Sequence, residues 1–219
     1  SKDKKVGTTG QGNGPAYRDK FARIGVRAEN VAALKPYLVD LYDMWYEGDK
    51  KVHILAEGAQ GFGLDIDWGD YPYVTSSHCT VGGAILNGVP HSAVKEVWGV
   101  AKMYETYVGK KEFQPKDEPI LNRIADVGQE YGATTGRRRQ TNWMNMQLLE
   151  KAIRMNGVTH VVFNKVDVLR DVGAWAVIDG DETIKFKNEK AMKDFIVKRL
   201  TKLGIVRSKI FFSESKEGI

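Results

Sequence analysis

Between residues 141 and 213 the chain alternates helix patterns with strand patterns, and this alternation restricts the fold more than any other feature. TNWMNMQLLEKAIRMNG (141–157) reads as one helix stopped by Gly157. Its Trp143, Met146, Leu149 and Ile153 recur at three- and four-residue steps, with Lys151 and Arg154 near the carboxyl end. VTHVVFNKVDVL (158–169) is a strand running into a charged loop, and AWAVIDGDETIKF (174–186) predicts a hairpin across Asp179-Gly180-Asp181. NEKAMKDFIVKRLTKLG (188–204) is an amphipathic helix with a glycine stop, and SKIFFS (208–213) is the strand after it. Helix followed by strand, repeated, builds an α/β fold: a mostly parallel central sheet flanked by helices.

Earlier segments are less regular. Leu34, Leu38, Leu41 and Trp45 predict a helix over 31–47, and KVHILAEG (51–58) predicts a short buried strand entering a glycine turn. GFGLDIDWGDYPYVTSSHCT (61–80) carries too much Gly, Pro and Asp for regular structure and reads as a functional loop. Residues 92–107 fit a helix or a strand–helix passage, and 109–119 are a polar connection. No internal repeat is visible, and 219 residues allow one large domain or two small ones; a single domain over 1–219 is the expectation.

Composition removes several function classes. A net charge of +5 suits anionic small molecules and is too small an excess to argue for nucleic acid, and the aromatics do not interleave with basic residues in a stripe. No apolar run reaches the roughly 20 residues that span a bilayer, so no membrane partner is expected. The single Cys79 leaves no internal disulfide and fits a reducing compartment. His53, His78, His91 and His160 show no ligand spacing, and no metal site is expected in this chain.

In parallel α/β sheets, ligands collect at the carboxyl ends of strands. Three loops follow candidate strands directly: EGAQG (57–61), NKVD (164–167) and SESKEG (213–218). In NKVD, the Asp167 carboxylate can accept from guanine N1–H and its exocyclic amine, which adenine cannot match, while the Lys165 stem covers the ring. Each such bond to a charged group is worth about 1.5–3 kcal/mol. Taken alone, NKVD is a weak signal and reads first as a solvated strand-end loop. GTTGQGNGPAY (7–17) offers close backbone approach and hydroxyls to a phosphate, although no Walker Gly-Lys-Ser/Thr follows and a flexible loop would look the same. Thr75, Ser76 and Ser77 add hydroxyls, and the Gln60 amide can donate to a purine oxygen. GATTGRRRQ (132–140) places three arginines side by side; they repel one another, so they hold anions or else face water.

Together these runs resemble one family. GTTGQGNGPAYRDKFARIGVR, EGAQGFGLDID, YPYVTSS, GATTGRRR and NKVDVL occur in the order and approximate spacing of adenylosuccinate synthetase, across nearly the whole chain. The resemblance implies that family's P-loop-NTPase-like fold, lacking its N-terminal portion, and a cytoplasmic ligase of purine biosynthesis that joins L-aspartate to IMP. GTP would phosphorylate the purine 6-oxygen and the aspartate amine would displace that phosphate, with magnesium (Mg2+) ligands mostly outside this chain. By the match, Thr9, Arg23, Gln60, Thr75 and Arg137 would bind the nucleotide substrate, Gln60 lying nearest the reacting oxygen. Arg23 would reach the neighbouring subunit's site in a homodimer. Ala133, Thr134, Thr135, Gly136, Arg137, Arg138 and Arg139 would enclose aspartate. Arg139, Lys165, Val166, Asp167, Ser213 and Ser215 would hold GTP. The arginine trio and the Lys165/Asp167 pair are expected to face a common cavity.

The match has departures. The family's catalytic Asp and His precede the segment resembling 7–17 and are not in this chain, so this polypeptide alone is expected not to turn over. KKEFQPKDE after Val108-Gly109 replaces the family's Gly-Pro-Phe-Pro-Thr-Glu, and Ser213-Glu214-Ser215-Lys216 replaces Ser-x-Gly-Pro. Compact viral relatives act on dGMP, often with ATP, and would work in the host cytoplasm. That reading, and a non-catalytic nucleotide-binding fragment, are the alternatives.

Overall fold

The computed structural model describes residues 6–47, 51–132 and 136–215. They fall into two compact units, Gly10–Val94 and Ser1–Thr9 with Lys95–Ile219.

Gly10–Val94 is built from turns and short helices. Helix α1 (Asn13–Ala22) ends at Arg23, whose left-handed backbone (φ 61°) lets its amide return to the Lys20 carbonyl. The helix predicted over 31–47 breaks into a 3-10 turn, Ala32–Tyr37, and a π turn, Asp43–Glu47. Pro36 explains the break: it removes one amide donor and crowds the preceding turn. No strand forms at 51–58, where Leu55 is 95% exposed. An apolar run becomes a strand only when a partner strand accepts its hydrogen bonds. Helix α2 (Gly82–Leu86) is a single turn and a half. Asp65 is the one buried residue among those described in this unit. Its Oδ1 accepts from the amides of Asp67 (2.9 Å) and Trp68 (3.1 Å), and its Oδ2 from the amide of Cys79 (2.6 Å). Those bonds pin both ends of the 65–79 loop to one carboxylate.

The second unit holds the sheets. Residues 92–107 form two strands, β1 (Trp98–Lys102) and β2 (Tyr104–Tyr107), rather than a helix. Helix α3 (Pro119–Val127) starts on a proline, where the missing amide costs nothing, and buries Leu121, Ile124 and Ala125 along one stripe. The helix predicted over 141–157 starts late. Residues Gln140–Asn145 are strand β3, with Thr141 and Trp143 buried in alternation, and helix α4 runs Met146–Asn156. Asn145 caps α4 by accepting from the Leu148 amide (2.9 Å), and Gly157 (φ 59°) ends it. Strand β4 (His160–Asn164) has His160–Phe163 buried, as expected of the middle strand of a parallel sheet. The charged loop predicted after it is instead helix α5 (Val166–Val172). The predicted hairpin is present as antiparallel β5 (Ala176–Asp179) and β6 (Glu182–Lys185). Helix α6 (Glu189–Lys202) buries Met192, Ile196 and Leu200 at four-residue steps, and β7 (Ile210–Phe212) follows.

The strands form a three-stranded parallel sheet, β1-β4-β7, and a four-stranded mixed sheet, β2-β3-β5-β6. The core lies around Phe163, Leu121, Ile124, Met146, Leu169, Ile196 and Leu200, all fully buried. Each such side chain contributes about 1.5–3 kcal/mol of burial free energy. None of the described helices is long and apolar enough to cross a membrane.

Candidate nucleotide site

Strand register decides where the site chemistry gathers. Lys102 pairs with Asn164, and Phe163 with Phe212, so β1, β4 and β7 end on one edge of their sheet. The Met103 amide donates to the Asn164 carbonyl (3.0 Å) and the Ser213 amide to the Phe163 carbonyl (2.7 Å), carrying the alignment one residue beyond the strands. Lys102, Lys165 and Ser213 therefore leave the sheet side by side, at the carboxyl ends where such sheets bind ligands.

Lys165 turns the chain there. Its left-handed backbone (φ 64°) opens α5, which puts Asp167 in the first helical turn. Lys165 Nζ donates to the Gly128 carbonyl (3.1 Å), and both Lys165 and Asp167 are half-buried. Val166 is fully buried in the core, which removes it from contact with a ligand in this structure. Asn164 Oδ1 is buried with no hydrogen-bond partner. Ser213 Oγ donates to the Ser215 carbonyl (2.9 Å), which curls the last loop.

The three arginines part company. Arg137 Nη1 donates to the Gly7 carbonyl (2.9 Å), and Arg138 Nη2 reaches the Asn122 carbonyl (3.1 Å) and Asp126 Oδ1 (2.6 Å) on α3. Arg139 Nη1 donates to Glu130 Oε2 (3.1 Å). The physical reason is extended backbone: Arg138 makes an antiparallel bridge to Tyr131, and successive side chains on such a segment point to opposite sides. Arg138 is thus spent on α3, while Arg139 turns toward the sheet end. Gly136 (φ 61°) sends its amide to the Gly132 carbonyl (2.8 Å). Ala133, Thr134 and Thr135 lie outside the described residues.

Glu130 organises this end and had no place in the reading of the sequence. Its carboxylate is 3% exposed. It accepts from Lys102 Nζ on both oxygens (2.7 and 2.8 Å), from the Tyr104 hydroxyl (2.7 Å) and from Arg139. Burial pushes the carboxyl up, but the bonds from Lys102 and Tyr104 and the nearby cations outweigh it and hold Glu130 below its ordinary value. Burial and the adjoining carboxylate push the Tyr104 phenol far up, so it stays a donor. Burial also lowers Lys102, against the pull of Glu130. The one available hint in the sequence was position: Glu130 immediately precedes the Tyr-Gly-Ala-Thr-Thr run.

In Gly10–Val94, Asn13 Nδ2 donates to Thr75 Oγ1 (2.8 Å) and Ser77 Oγ (3.4 Å), and Ser77 Oγ to Gln60 Oε1 (3.4 Å). Gln60 takes a left-handed backbone (φ 59°). Two predicted nucleotide contacts, Gln60 and Thr75, are thereby joined through Asn13 and Ser77, and Asn13 was missed. Arg23 is exposed at the end of α1; in the other unit, Thr9 is exposed beyond Gly7. Asp65, Asp67 and His78 bring ligand atoms within 4.8 Å of one another. The Asp65 oxygens already serve three backbone amides, so this group reads as a loop fastener.

Residues 28–195 match the family model of adenylosuccinate synthetase. The chain belongs to the adenylosuccinate synthetase family. Adenylosuccinate synthetase of Nitratidesulfovibrio vulgaris strain DP4 is 36% identical over 77% of this chain and 50% of its own length. That of Thermus thermophilus is 35% identical over 75% and 51%. The chain spans about half the length of the curated relatives it matches. The fold agrees with fully ligated adenylosuccinate synthetase from Plasmodium falciparum, with a TM-score of 0.75 at 24% identity over 95% of this chain and 68% of that one. A weaker likeness, TM-score 0.49 at 21% identity over 72% and 42%, is to cyanophage S-2L succinoaminodeoxyadenylate synthetase bound to dGMP and dATP.

Proposed function

We propose that this chain forms nucleotide- and aspartate-binding parts of an adenylosuccinate synthetase, a carbon–nitrogen ligase of purine biosynthesis working in the cytoplasm. GTP phosphorylates the 6-oxygen of IMP. The aspartate amine then attacks C6, the C6–O bond breaks, and adenylosuccinate, GDP and phosphate leave. A carbonyl oxygen is a poor leaving group and phosphate a good one, which is why the chemistry is split in two. The observation that carries the reading is the common edge of β1, β4 and β7, where Lys165, Asp167, Ser213 and Arg139 gather.

In this reading Asp167 accepts from the guanine N1–H and 2-amino group, the Lys165 stem lies along the ring, and Ser213 and Ser215 border the base. Arg139 faces the phosphates through charge-assisted bonds. Gln60 and Thr75, joined through Asn13 and Ser77, meet IMP, and Arg23 reaches the site of a second copy in a homodimer. Gly136 and Arg137 meet aspartate, with Arg138 supporting the run from α3. Magnesium, held mostly by residues outside this chain, would neutralise phosphate charge in such a transfer, and neither of the two buried carboxylates among the described residues fits it. The Glu130 oxygens are taken by Lys102, Tyr104 and Arg139, and the Asp65 oxygens by backbone amides.

The test is calorimetric titration of this chain with GTP, ATP, IMP and dGMP, beside a turnover assay with aspartate. GTP binding at least about tenfold tighter than ATP, with IMP preferred to dGMP, supports the proposal. A preference for dGMP moves the chain to the other acceptor, and absence of any nucleotide binding overturns the reading.

A further inference from the structure

The turn Gly128-Gln129-Glu130 joins two basic groups that have no contact in sequence. The Gly128 carbonyl holds Lys165 Nζ at 3.1 Å. Two residues on, Glu130 holds Arg139 twice: its carbonyl accepts from the Arg139 amide (2.9 Å) and its carboxylate from Nη1 (3.1 Å). The turn is itself rigidly set. Gln129 has a left-handed backbone (φ 51°), and the Glu130 amide returns to the Ala125 carbonyl (2.9 Å) on α3. Gly128 is needed there, since a Cβ would fall against the Tyr104 hydroxyl and 2.9 Å from the Ile124 carbonyl.

The cations around Glu130 are not equivalent. Lys102 Nζ has three hydrogens and three acceptors, the two Glu130 oxygens and Thr106 Oγ1 (3.1 Å). Its donors are used up. Arg139 has five donors, and Glu130 engages Nη1 while the side chain stays 30% exposed. The buried carboxylate is thus neutralised by a lysine that stays behind, and it orients an arginine that can still bind an anion.

We propose that Glu130 is a positioning residue for anion binding: its buried carboxylate aims the Arg139 guanidinium at the phosphates of a nucleoside triphosphate, and the turn that carries it fixes Lys165 for the base of the same molecule. The assignment rests on the nucleotide reading above. It makes a prediction of unusual sign. Removing a negative charge beside an anion site should tighten anion binding by simple Coulomb attraction. Loss of aim should weaken it.

The experiment is a double-mutant cycle on GTP affinity by calorimetry, using wild type, Glu130→Gln, Arg139→Ala and the double variant, with circular dichroism confirming the fold. We expect Glu130→Gln to weaken GTP by about tenfold in the wild-type background and by less than about twofold when Arg139 is already alanine, because residues acting as a unit are non-additive. Tighter binding in Glu130→Gln, or equal losses in both backgrounds, overturns the proposal while leaving the nucleotide reading intact. Absence of GTP binding by the wild type overturns both. Should Glu130→Gln not fold, Glu130→Asp gives the same cycle: it keeps the charge near Lys102 and Tyr104 but falls one methylene short of Arg139, and its loss must again vanish in Arg139→Ala.

Discussion

Arg170 and Glu189 form a two-pronged ion pair, Nε to Oε2 and Nη2 to Oε1, both at 2.9 Å. It ties the last turn of α5 to the first turn of α6, and it orders the pH response of this region. The Arg170 bonds, opposed by burial and helped by Lys193, bring Glu189 down to about 2. A carboxyl with a depressed value stabilises the fold above its unfolded value near 4.5 and loses that contribution as pH falls toward 2. Glu189→Gln should therefore lower stability by about 1 kcal/mol at most at pH 7, this being a partly exposed pair. The difference in Tm between the two proteins should shrink between pH 4.5 and 2, as followed by circular dichroism melts.

Asp167→Asn replaces a carboxylate that accepts twice with an amide that accepts once. GTP affinity should fall by about tenfold or more, at about 1.5–3 kcal/mol for each bond to a charged group. ATP affinity should hardly change. Competition titration of the two nucleotides against the same chain measures both, and an equal loss for each would remove Asp167 from base reading.

Phe163 is fully buried and stacks on Phe212 with ring centroids 5.2 Å apart. Phe163→Ala should cost about 3–5 kcal/mol in urea unfolding. Because Asn164 and Lys165 follow it directly, the variant should also bind GTP more weakly at urea concentrations where it remains folded.

Gly128→Ala drives a methyl toward the buried Tyr104 hydroxyl and the Ile124 carbonyl. An overpacked site of this kind costs about 1–3 kcal/mol. Thermal melts measure the loss, and a variant as stable as the wild type would show that the turn has slack.

Cys79 should be a slow nucleophile. Burial, then the neighbouring Asp65 carboxylate, push its thiol up to about 11. Reaction with a disulfide reagent at about pH 8 should run well below the rate of a free thiol and climb steeply only above about pH 10. A fast reaction at the lower pH would mean that the 65–79 loop opens.

Local chemistry and long-range pairing divided the molecule between them. Helix α6 was legible because Asn188, Met192, Ile196, Leu200 and Gly204 state its start, buried face and stop within one short run. The hairpin at Gly180 was legible for the same reason, and so was the placing of NKVD at a strand end. Strand β3 was not: Trp143 and Met146 keep helical spacing with Leu149. What makes 140–145 a strand is pairing with β2, well upstream in the chain, and with β5. The run 51–56 failed in the opposite direction, apolar enough for a strand but paired with none among the described residues.

The sequence by itself determined the fold class, the family and the inventory of charged and hydroxyl side chains from which the proposed site is drawn, since these depend on residue type and near-neighbour spacing. Only the tertiary structure decided which of those side chains meet. It sent Arg138 to α3 and Arg139 to Glu130, withdrew the Val166 side chain into the core, and put Lys102, Lys165 and Ser213 on one edge. Strand register and side-chain alternation set those outcomes, and both arise from contacts between segments far apart in the chain.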